Sequence, residues 1–192
     1  MTSLLSAALR GGNPTRLADI WKSGLGAMIG VSLTGLAAHA LVSGHLSAVL
    51  LLAPPIGASA VLVFAVPASP LAQPRAVIGG NIVSAIVGVT CVLAFHQQPV
   101  LAAGIAVGAA IIVMSLLGCL HPPGGAVALS AALVATAPGI NSFAYVLAPI
   151  GVCSVLLAAA AMVFRATGRP RLASRAAYTT PIPPEPRTPS MR

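Results

Sequence analysis

Two short motifs of the sequence carry the residue types that could bind a ligand. Residues 54–58 read Pro-Pro-Ile-Gly-Ala, and residues 122–126, which follow a histidine, read Pro-Pro-Gly-Gly-Ala. Each proline removes a backbone donor and crowds the preceding turn, so we expect a helix break at both motifs. A helix that starts after such a break exposes free N–H groups at the positive end of its dipole. The pair of motifs therefore predicts an anion site without a buried full charge.

Polar side chains around the motifs complete the predicted site. Ser59, Gln73 and Asn81 offer neutral hydrogen-bonding groups, and His121 adds a donor that can titrate near neutral pH. The predicted substrate-binding residues are Pro54, Pro55, Gly57, Ser59, Gln73, Asn81, His121, Pro122, Pro123, Gly124 and Gly125. The plainer interpretation is that both motifs are tight turns and that backbone carbonyls satisfy the histidine.

The composition places the chain in a membrane. It is 57% hydrophobic and only 6% charged, whereas soluble domains carry about 25% charged residues. The acidic residues are Asp19 and Glu185, so no predicted span holds a carboxylate for a proton relay or a Na⁺ site. The net charge of +8 comes from basic residues at the membrane flanks and in the tail, which does not indicate nucleic-acid binding. The cysteines, which show no metal-ligand spacing, are expected to be small buried side chains: Cys91, Cys119 and Cys153.

Hydropathy predicts an all-α membrane protein with about six transmembrane segments. The expected segments are residues 20–42, 46–66, 76–95, 100–117, 124–137 and 142–164, with the second and the start of the fifth broken at the Pro-Pro motifs. We divide the chain into an N-terminal interfacial segment (1–19), a transmembrane domain (20–164) and a disordered basic cytoplasmic tail (165–192).

The positive charges predict the orientation of the spans. They fall before and at the start of the first segment, after the second and after the last, while the turns at 43–45, 96–99 and 138–141 contain no lysine or arginine. Six crossings put all these charges on the cytoplasmic side of the inner membrane, with both termini cytoplasmic. Three crossings per half would insert the two halves in opposite orientations, the pattern of an inverted repeat.

Small residues predict how the helices pack. Gly80, Ser84 and Gly88 recur at four-residue intervals on one face of the third segment. Such faces allow close approach of helices within a membrane. Gly/Ser-rich faces of this kind also predict association of copies of the chain into a homo-oligomer.

Four segments in order carry a resemblance to a known family. They are residues 53–62 (Ala-Pro-Pro-Ile-Gly-Ala-Ser-Ala-Val-Leu), 67–74 (Pro-Ala-Ser-Pro-Leu-Ala-Gln-Pro), 79–84 (Gly-Gly-Asn-Ile-Val-Ser) and 119–129 (Cys-Leu-His-Pro-Pro-Gly-Gly-Ala-Val-Ala-Leu). The chain resembles the HPP family of integral membrane proteins, named for the motif that here is residues 121–123. The resemblance implies a transport role, and photosynthetic relatives are linked to nitrite movement across membranes.

The sequence favours a transporter or channel for a small anion, with nitrite as the candidate that the resemblance suggests. A non-transporting membrane scaffold or sensor subunit, whose tail binds a partner, is the alternative. An intramembrane enzyme has little support, because no nucleophile–base pair, metal cluster or cofactor motif stands out. We therefore expect no enzymatic activity, no metal and no cofactor. The expected partners are a small anion and the lipid bilayer, and a polar cavity at the motifs would distinguish transporter from scaffold.

Overall fold

The described part of the chain is a bundle of helices. In the computed structural model it covers residues 14–41, 46–136 and 142–166, and it contains no β-strand. The helices are α1 (Pro14–Leu41), α2 (Leu46–Ala65), α3 (Pro74–Ala94), α4 (Pro99–Leu116), α5 (Gly124–Ala135), α6 (Ser142–Tyr145) and α7 (Val152–Ala166). A 3₁₀ turn (Pro70–Ala72) precedes α3, and a π-helical segment (Val146–Gly151) joins α6 to α7. The all-α class is thus confirmed, with α6, the π segment and α7 forming the sixth predicted segment.

The predicted outer boundaries fall partly on residues outside the described ranges. Helix α1 begins at Pro14, ahead of the expected domain start at residue 20, because proline is well suited to the first helical turn. Helix α7 continues to Ala166, so it includes the first two residues of the predicted tail. The rest of the N-terminal segment (1–13) and of the tail (167–192) lies outside the described residues.

Helix length and surface composition are those of a membrane protein. Within the described ranges, three segments are long and apolar enough to span a bilayer alone: Ala18–Leu41, Pro74–Ala94 and Ser142–Ala166. The 12-residue α5 is about 18 Å long, short of the roughly 30 Å of hydrocarbon that a full crossing spans. Large apolar side chains cover the outside of the bundle, among them Trp21, Leu36, Val100, Leu116 and Val163. In a membrane this surface faces lipid.

Contacts between helix termini fix the direction of each helix. At the start of α3, Arg75 Nη2 donates to the carbonyl of Leu117, just beyond α4 (2.8 Å). Near the end of α7, Arg165 Nη2 donates to the carbonyl of Ala72, just before α3 (2.8 Å). Phe64 and Phe164, from the last turns of α2 and α7, both pack against Gly26, in the half of α1 nearer its start. We call the end that holds Arg75 and Arg165 the arginine end; α1, α3 and α5 begin there, while α2, α4 and α7 finish there.

The first Pro-Pro pair does not interrupt its helix, which corrects the prediction that both motifs break a helical segment. Helix α2 runs without interruption through Pro54 and Pro55. The proline φ of about −65° fits a helix, and membrane helices tolerate the missing donors because neighbouring groups can satisfy the freed carbonyls. The second pair lies between helices, since α4 ends at Leu116 and α5 begins at Gly124.

The small-residue face of α3 packs where the sequence predicted close contact. A Cβ atom built at Gly88 would lie 2.1 Å from the carbonyl oxygen of Ala128 in α5, so the two backbones touch. Ser84 has no exposed surface and donates to the sulfur of Met114 in α4 (3.2 Å). This face is therefore occupied within the chain, and the third segment of the bundle is held against both α4 and α5.

The sixth segment contains a break that the sequence analysis missed. Ala148 leaves the helical conformation (φ −137°, ψ 110°), and Pro149 follows it inside the π segment. Pro149, Ile150 and Gly151 are buried, and α3 packs against this segment. Pro149 was the available signal, because a proline in mid-span removes a helical donor in the same way as the two motifs.

Candidate functional site

The second motif forms a buried turn at the arginine end. After α4 the chain passes through Gly118, whose φ of 62° is left-handed and suits glycine. His121 follows with no exposed surface. The N–H of Gly124 then donates to the His121 carbonyl (2.8 Å), and that of Gly125 donates to the Pro122 carbonyl (3.2 Å). The prediction of free N–H groups for an anion at this helix start is therefore corrected for Gly124 and Gly125, because the tight turn uses both N–H groups locally.

The imidazole of His121 joins three parts of the chain. Its Nε2 lies 2.9 Å from Ser59 Oγ of α2, and its Nδ1 lies 2.9 Å from the carbonyl oxygen of Leu71 in the 3₁₀ turn. A carbonyl only accepts, so the proton belongs on Nδ1, and in the neutral ring the Ser59 hydroxyl donates to Nε2. Burial lowers the pKa of His121, which lies in the segment between α4 and α5, and the smaller effect of the Leu71 hydrogen bond raises it.

The order hydroxyl, imidazole, carbonyl determines what this group can do chemically. A base within hydrogen-bond reach of a hydroxyl is also the arrangement of activated nucleophiles. Here the third member is the neutral Leu71 carbonyl, which gives an imidazolium less stabilisation than the carboxylate of a catalytic triad. Ser59 and His121 are both fully buried. The arrangement is suited to neutral hydrogen bonding by the imidazole N–H and the serine hydroxyl.

A second buried polar pair lies beside the first. Asn81 Nδ2 of α3 donates to Ser154 Oγ of α7 (3.0 Å), and neither side chain has exposed surface. Within the described part of the chain, Asn81 Oδ1 has no hydrogen-bond partner. Asn81 was predicted as a site residue, whereas Ser154 was missed; a lone serine inside an apolar run was the only signal for it. The pair does not bond to His121.

Gln73, another predicted site residue, supports the loop before α3. Its Nε2 donates to the carbonyls of Pro67 (3.2 Å) and Ser69 (3.0 Å). Its Oε1 accepts from Arg165 Nη1 (3.2 Å). Gln73 thus ties residues 67–73 to the end of α7 and makes no hydrogen bond to His121. It positions the loop that supplies the Leu71 carbonyl.

The glycines of the two motifs differ in their surroundings. A Cβ built at Gly124 would lie 2.6 Å from Ser84 Oγ and 2.8 Å from the Met114 sulfur, whereas one at Gly125 would make only ordinary contact. Nothing lies within 4 Å of a Cβ at Gly57. Of the first motif, Pro54 is exposed, and the helix continues to carry Ser59 to the histidine. The close approach between parts of the chain is therefore at Gly124, and approach of a ligand to Gly57 or Gly125 stays a prediction.

The contact between α3 and the second motif is also close. A Cβ at Gly80 would lie 2.6 Å from His121 Cβ and 2.7 Å from the carbonyl oxygen of Cys119. Cys119 and Cys153 are buried free thiols, which confirms the prediction of small buried side chains for these two, whereas the free thiol Cys91 is only partly buried. Glycine at position 80 lets residues 117–123, which we call the histidine segment, lie directly on the α3 backbone.

Two open spaces lie away from the second motif. A groove of about 720 Å³ runs along the first turns of α4, at the end opposite the arginine end. It is lined by Gln98, Val100, Leu101, Gly104 and Ile105, and it is mostly apolar. A smaller pocket of about 220 Å³ lies beside it at residues 94–98. Neither space reaches His121, which has no exposed surface in this conformation, whereas Pro122 of the same motif is exposed.

Comparisons with known proteins agree with the membrane architecture. The model of the HPP transmembrane region matches residues 13–172. A transmembrane protein of Dictyostelium discoideum is 36% identical over 158 residues, which cover 81% of this chain and 50% of that protein. A second transmembrane protein of the same organism is 47% identical over 75 residues, covering 38% of this chain and 26% of that protein. The chain thus spans half or less of the length of these curated relatives, and no solved structure matches it.

Proposed function

The chain belongs to the HPP family of integral membrane proteins, and from that premise we propose that it is a transporter or channel for a small anion, with nitrite as the first substrate to test. The observation that carries the proposal is the buried group formed by His121, Ser59 and the Leu71 carbonyl. Ionisable side chains inside membrane domains are costly and usually mark substrate or ion paths.

The proposed anion site uses the imidazole N–H. In the closed conformation His121 Nδ1–H donates to the Leu71 carbonyl, and Ser59 donates to Nε2. An anion that displaced the carbonyl would accept from Nδ1–H, a charge-assisted bond stronger than the neutral one it replaces. Access of an anion to His121 Nδ1 requires movement of residues 67–73, which supply the Leu71 carbonyl, or of residues 117–123, which include the histidine. The N–H groups at the start of α5 can bind the anion only if the turn at Gly124 and Gly125 opens as well.

The test of this proposal is anion flux in proteoliposomes. Wild-type protein is expected to carry nitrite, and a panel of other small anions would define the substrate. His121→Ala should weaken apparent affinity by about 10- to 150-fold, the effect of losing a hydrogen bond to a charged ligand. His121→Gln keeps a neutral donor and should retain part of the flux. His96→Ala, at an exposed histidine of the opposite end, is the matched control and should behave as wild type.

The flux assay also addresses the alternative function. Close packing at Gly80 and Gly124, with the turn donors bonded locally, favours a structural role in a membrane scaffold or sensor subunit. That role predicts no flux of any anion by folded wild-type protein. Flux that survives unchanged in His121→Ala would instead keep transport and reject His121 as its site.

The proposal includes a topology with both termini in the cytoplasm and the arginine end on the cytoplasmic side of the inner membrane. Arg75 and Arg165 lie together at that end, as the positive-inside tendency requires. Helix α2, which contains the first motif, and α5, which follows the second, run in opposite directions, in keeping with an inverted repeat. A single cysteine at position 75, on a cysteine-free background, should react with an impermeant reagent only from the cytoplasmic side. Reaction from the periplasmic side alone would reverse the orientation.

Assembly into a homo-oligomer is part of the proposal and has a defined candidate face. The Gly80–Gly88 face of α3 is occupied by α5 and by the histidine segment. Gly104 and Gly108 of α4 are exposed, with no described atom within 4 Å of a Cβ at either. Small residues at four-residue spacing favour helix association in membranes. Gly104→Leu should therefore reduce crosslinking between copies, and crosslinking that persists would place the contact elsewhere.

A further inference from the structure

The pair formed by Asn81 and Ser154 has unused binding capacity. The Asn81 amide can make up to four hydrogen bonds, yet the bond to Ser154 is the one described, and Oδ1 has no partner among the described residues. Both side chains are fully buried. A buried amide oxygen without a partner is costly, and such a group in a native structure calls for a bound water or ion.

A broken helix lies next to this oxygen. Ser154 is three residues beyond Gly151, where the π segment (Val146–Gly151) ends. The π segment packs against α3, and a Cβ built at Gly151 would lie 3.8 Å from Cδ1 of Ile82, the residue after Asn81. The non-helical Ala148 and the missing N–H of Pro149 interrupt the regular helical pattern of this segment. Carbonyl oxygens of such interrupted membrane helices are suited to coordinating Na⁺.

We propose that Asn81 Oδ1, Ser154 Oγ and backbone carbonyl oxygens of Val146–Gly151 form a binding site for Na⁺. The ligands are all neutral oxygens, which suit a hard monovalent cation. A divalent ion would call for carboxylates, and the described residues include no group of acidic, histidine or cysteine side chains that could hold a metal. The inference rests on the proposed anion transport and supplies it with a coupling ion.

The position of the Asn81–Ser154 pair explains why a bound cation would strengthen the binding of an anion at His121. Gly80 of α3 packs against His121, and the next residue, Asn81, bonds to Ser154. His121 and the Asn81–Ser154 pair therefore meet neighbouring positions of α3, while Arg75 and Arg165 lie at the arginine end of the bundle. Opposite unit charges attract each other in such an interior, and at an illustrative separation of about 10 Å and an effective dielectric constant of about 20 the attraction changes affinity about 15-fold. Bound Na⁺ would strengthen anion binding at His121 by that order.

The experiment measures thermal unfolding of the purified full-length chain in detergent. Midpoints are compared in NaCl, KCl and choline chloride at equal concentration, so that ionic strength and chloride stay constant. A ligand that binds only the folded state raises the midpoint in a saturable way. Na⁺ is expected to raise it by several degrees in wild type, and Asn81→Leu and Ser154→Ala should abolish the rise. Ser84→Ala, a fully buried serine of α3 bonded to Met114, is the matched control and should keep it.

Several outcomes would overturn the site. The unfolding midpoint could rise equally in all three salts, or it could show no saturable rise with Na⁺ in wild type. It could also still rise with Na⁺ in both Asn81→Leu and Ser154→Ala. Binding of radioactive ²²Na⁺ to wild type tests the same site without a variant, should the variants fail to fold. A water at Asn81 Oδ1 predicts no Na⁺ dependence and also rejects the proposal. If the protein carries anions but Na⁺ does not shift the unfolding midpoint, the Na⁺ site is rejected and the transport proposal stands. If Na⁺ shifts the midpoint but no anion is carried, transport alone is rejected.

Discussion

The two Pro-Pro motifs share a sequence pattern but have different structures. At the first, α2 continues through the prolines, and Gly57 has open space beside it. At the second, α4 and α5 are separate helices, His121 is fully buried, and Gly124 is packed against α3 and α4. A proline pair in an apolar segment is thus compatible with a continuous helix. Its local sequence does not decide whether the chain turns.

The surroundings of the second motif account for the difference. Gly118 takes a left-handed conformation that ends α4. Arg75 then bonds the carbonyl of Leu117, and His121 bonds Ser59 and the Leu71 carbonyl. Residues 46–53, which precede the first motif, contain no glycine and no histidine. The turn is therefore stabilised by a permissive glycine and by side chains from distant parts of the chain.

The largest expected effect is loss of the His121 side chain, which tests whether its hydrogen bonds hold the second motif. His121→Ala leaves Ser59 Oγ and the Leu71 carbonyl without their partner and opens a cavity. Each unbonded buried group costs about 1–3 kcal/mol, so we expect the free energy of unfolding to fall by about 2–5 kcal/mol. Denaturant unfolding in detergent would measure it. A fall below about 1 kcal/mol would mean that the motif keeps its structure without these bonds.

An intermediate effect is expected from adding one methyl group to a glycine of each motif. Gly124→Ala places a Cβ 2.6 Å from Ser84 Oγ and should cost about 1–3 kcal/mol through overpacking. Gly57→Ala has open space and a helical backbone, so it should stabilise α2 by about 0.5–1 kcal/mol. The same unfolding measurement compares the pair. Equal effects of the two substitutions would remove the structural distinction between the motifs.

An effect smaller than that of Gly124→Ala is expected at the glycine that ends α4. Gly118→Ala forces an L-residue into a left-handed conformation, at a cost of about 1–2 kcal/mol. Gly118→Asn should lose less, because asparagine tolerates this conformation better than most residues. Unfolding midpoints of the two variants would show the order. Identical losses would point to the contact with Arg75, rather than backbone conformation, as the reason for glycine at this position.

Part of the candidate site could be predicted from the sequence. His121, Ser59 and Asn81 were identified as polar residues of a membrane domain, and all three are fully buried. The close-packing face of α3 followed from the spacing of Gly80, Ser84 and Gly88 alone. The Leu71 carbonyl and Ser154 could not be predicted, because a backbone oxygen and a lone serine carry no distinctive sequence signal. Gln73 was assigned to the site, whereas its amide holds the loop next to it.

The sequence by itself determined the class of protein and the order of its helices. A chain with 6% charged residues and long apolar segments must satisfy its backbone internally within a membrane, which selects helices at about the predicted positions. Tertiary structure decided which proline pair becomes a turn, which glycine is in close contact and which polar groups meet. Those outcomes depend on contacts such as Ser59 with His121, 62 residues apart. Residues so distant in sequence meet only when the whole bundle has packed.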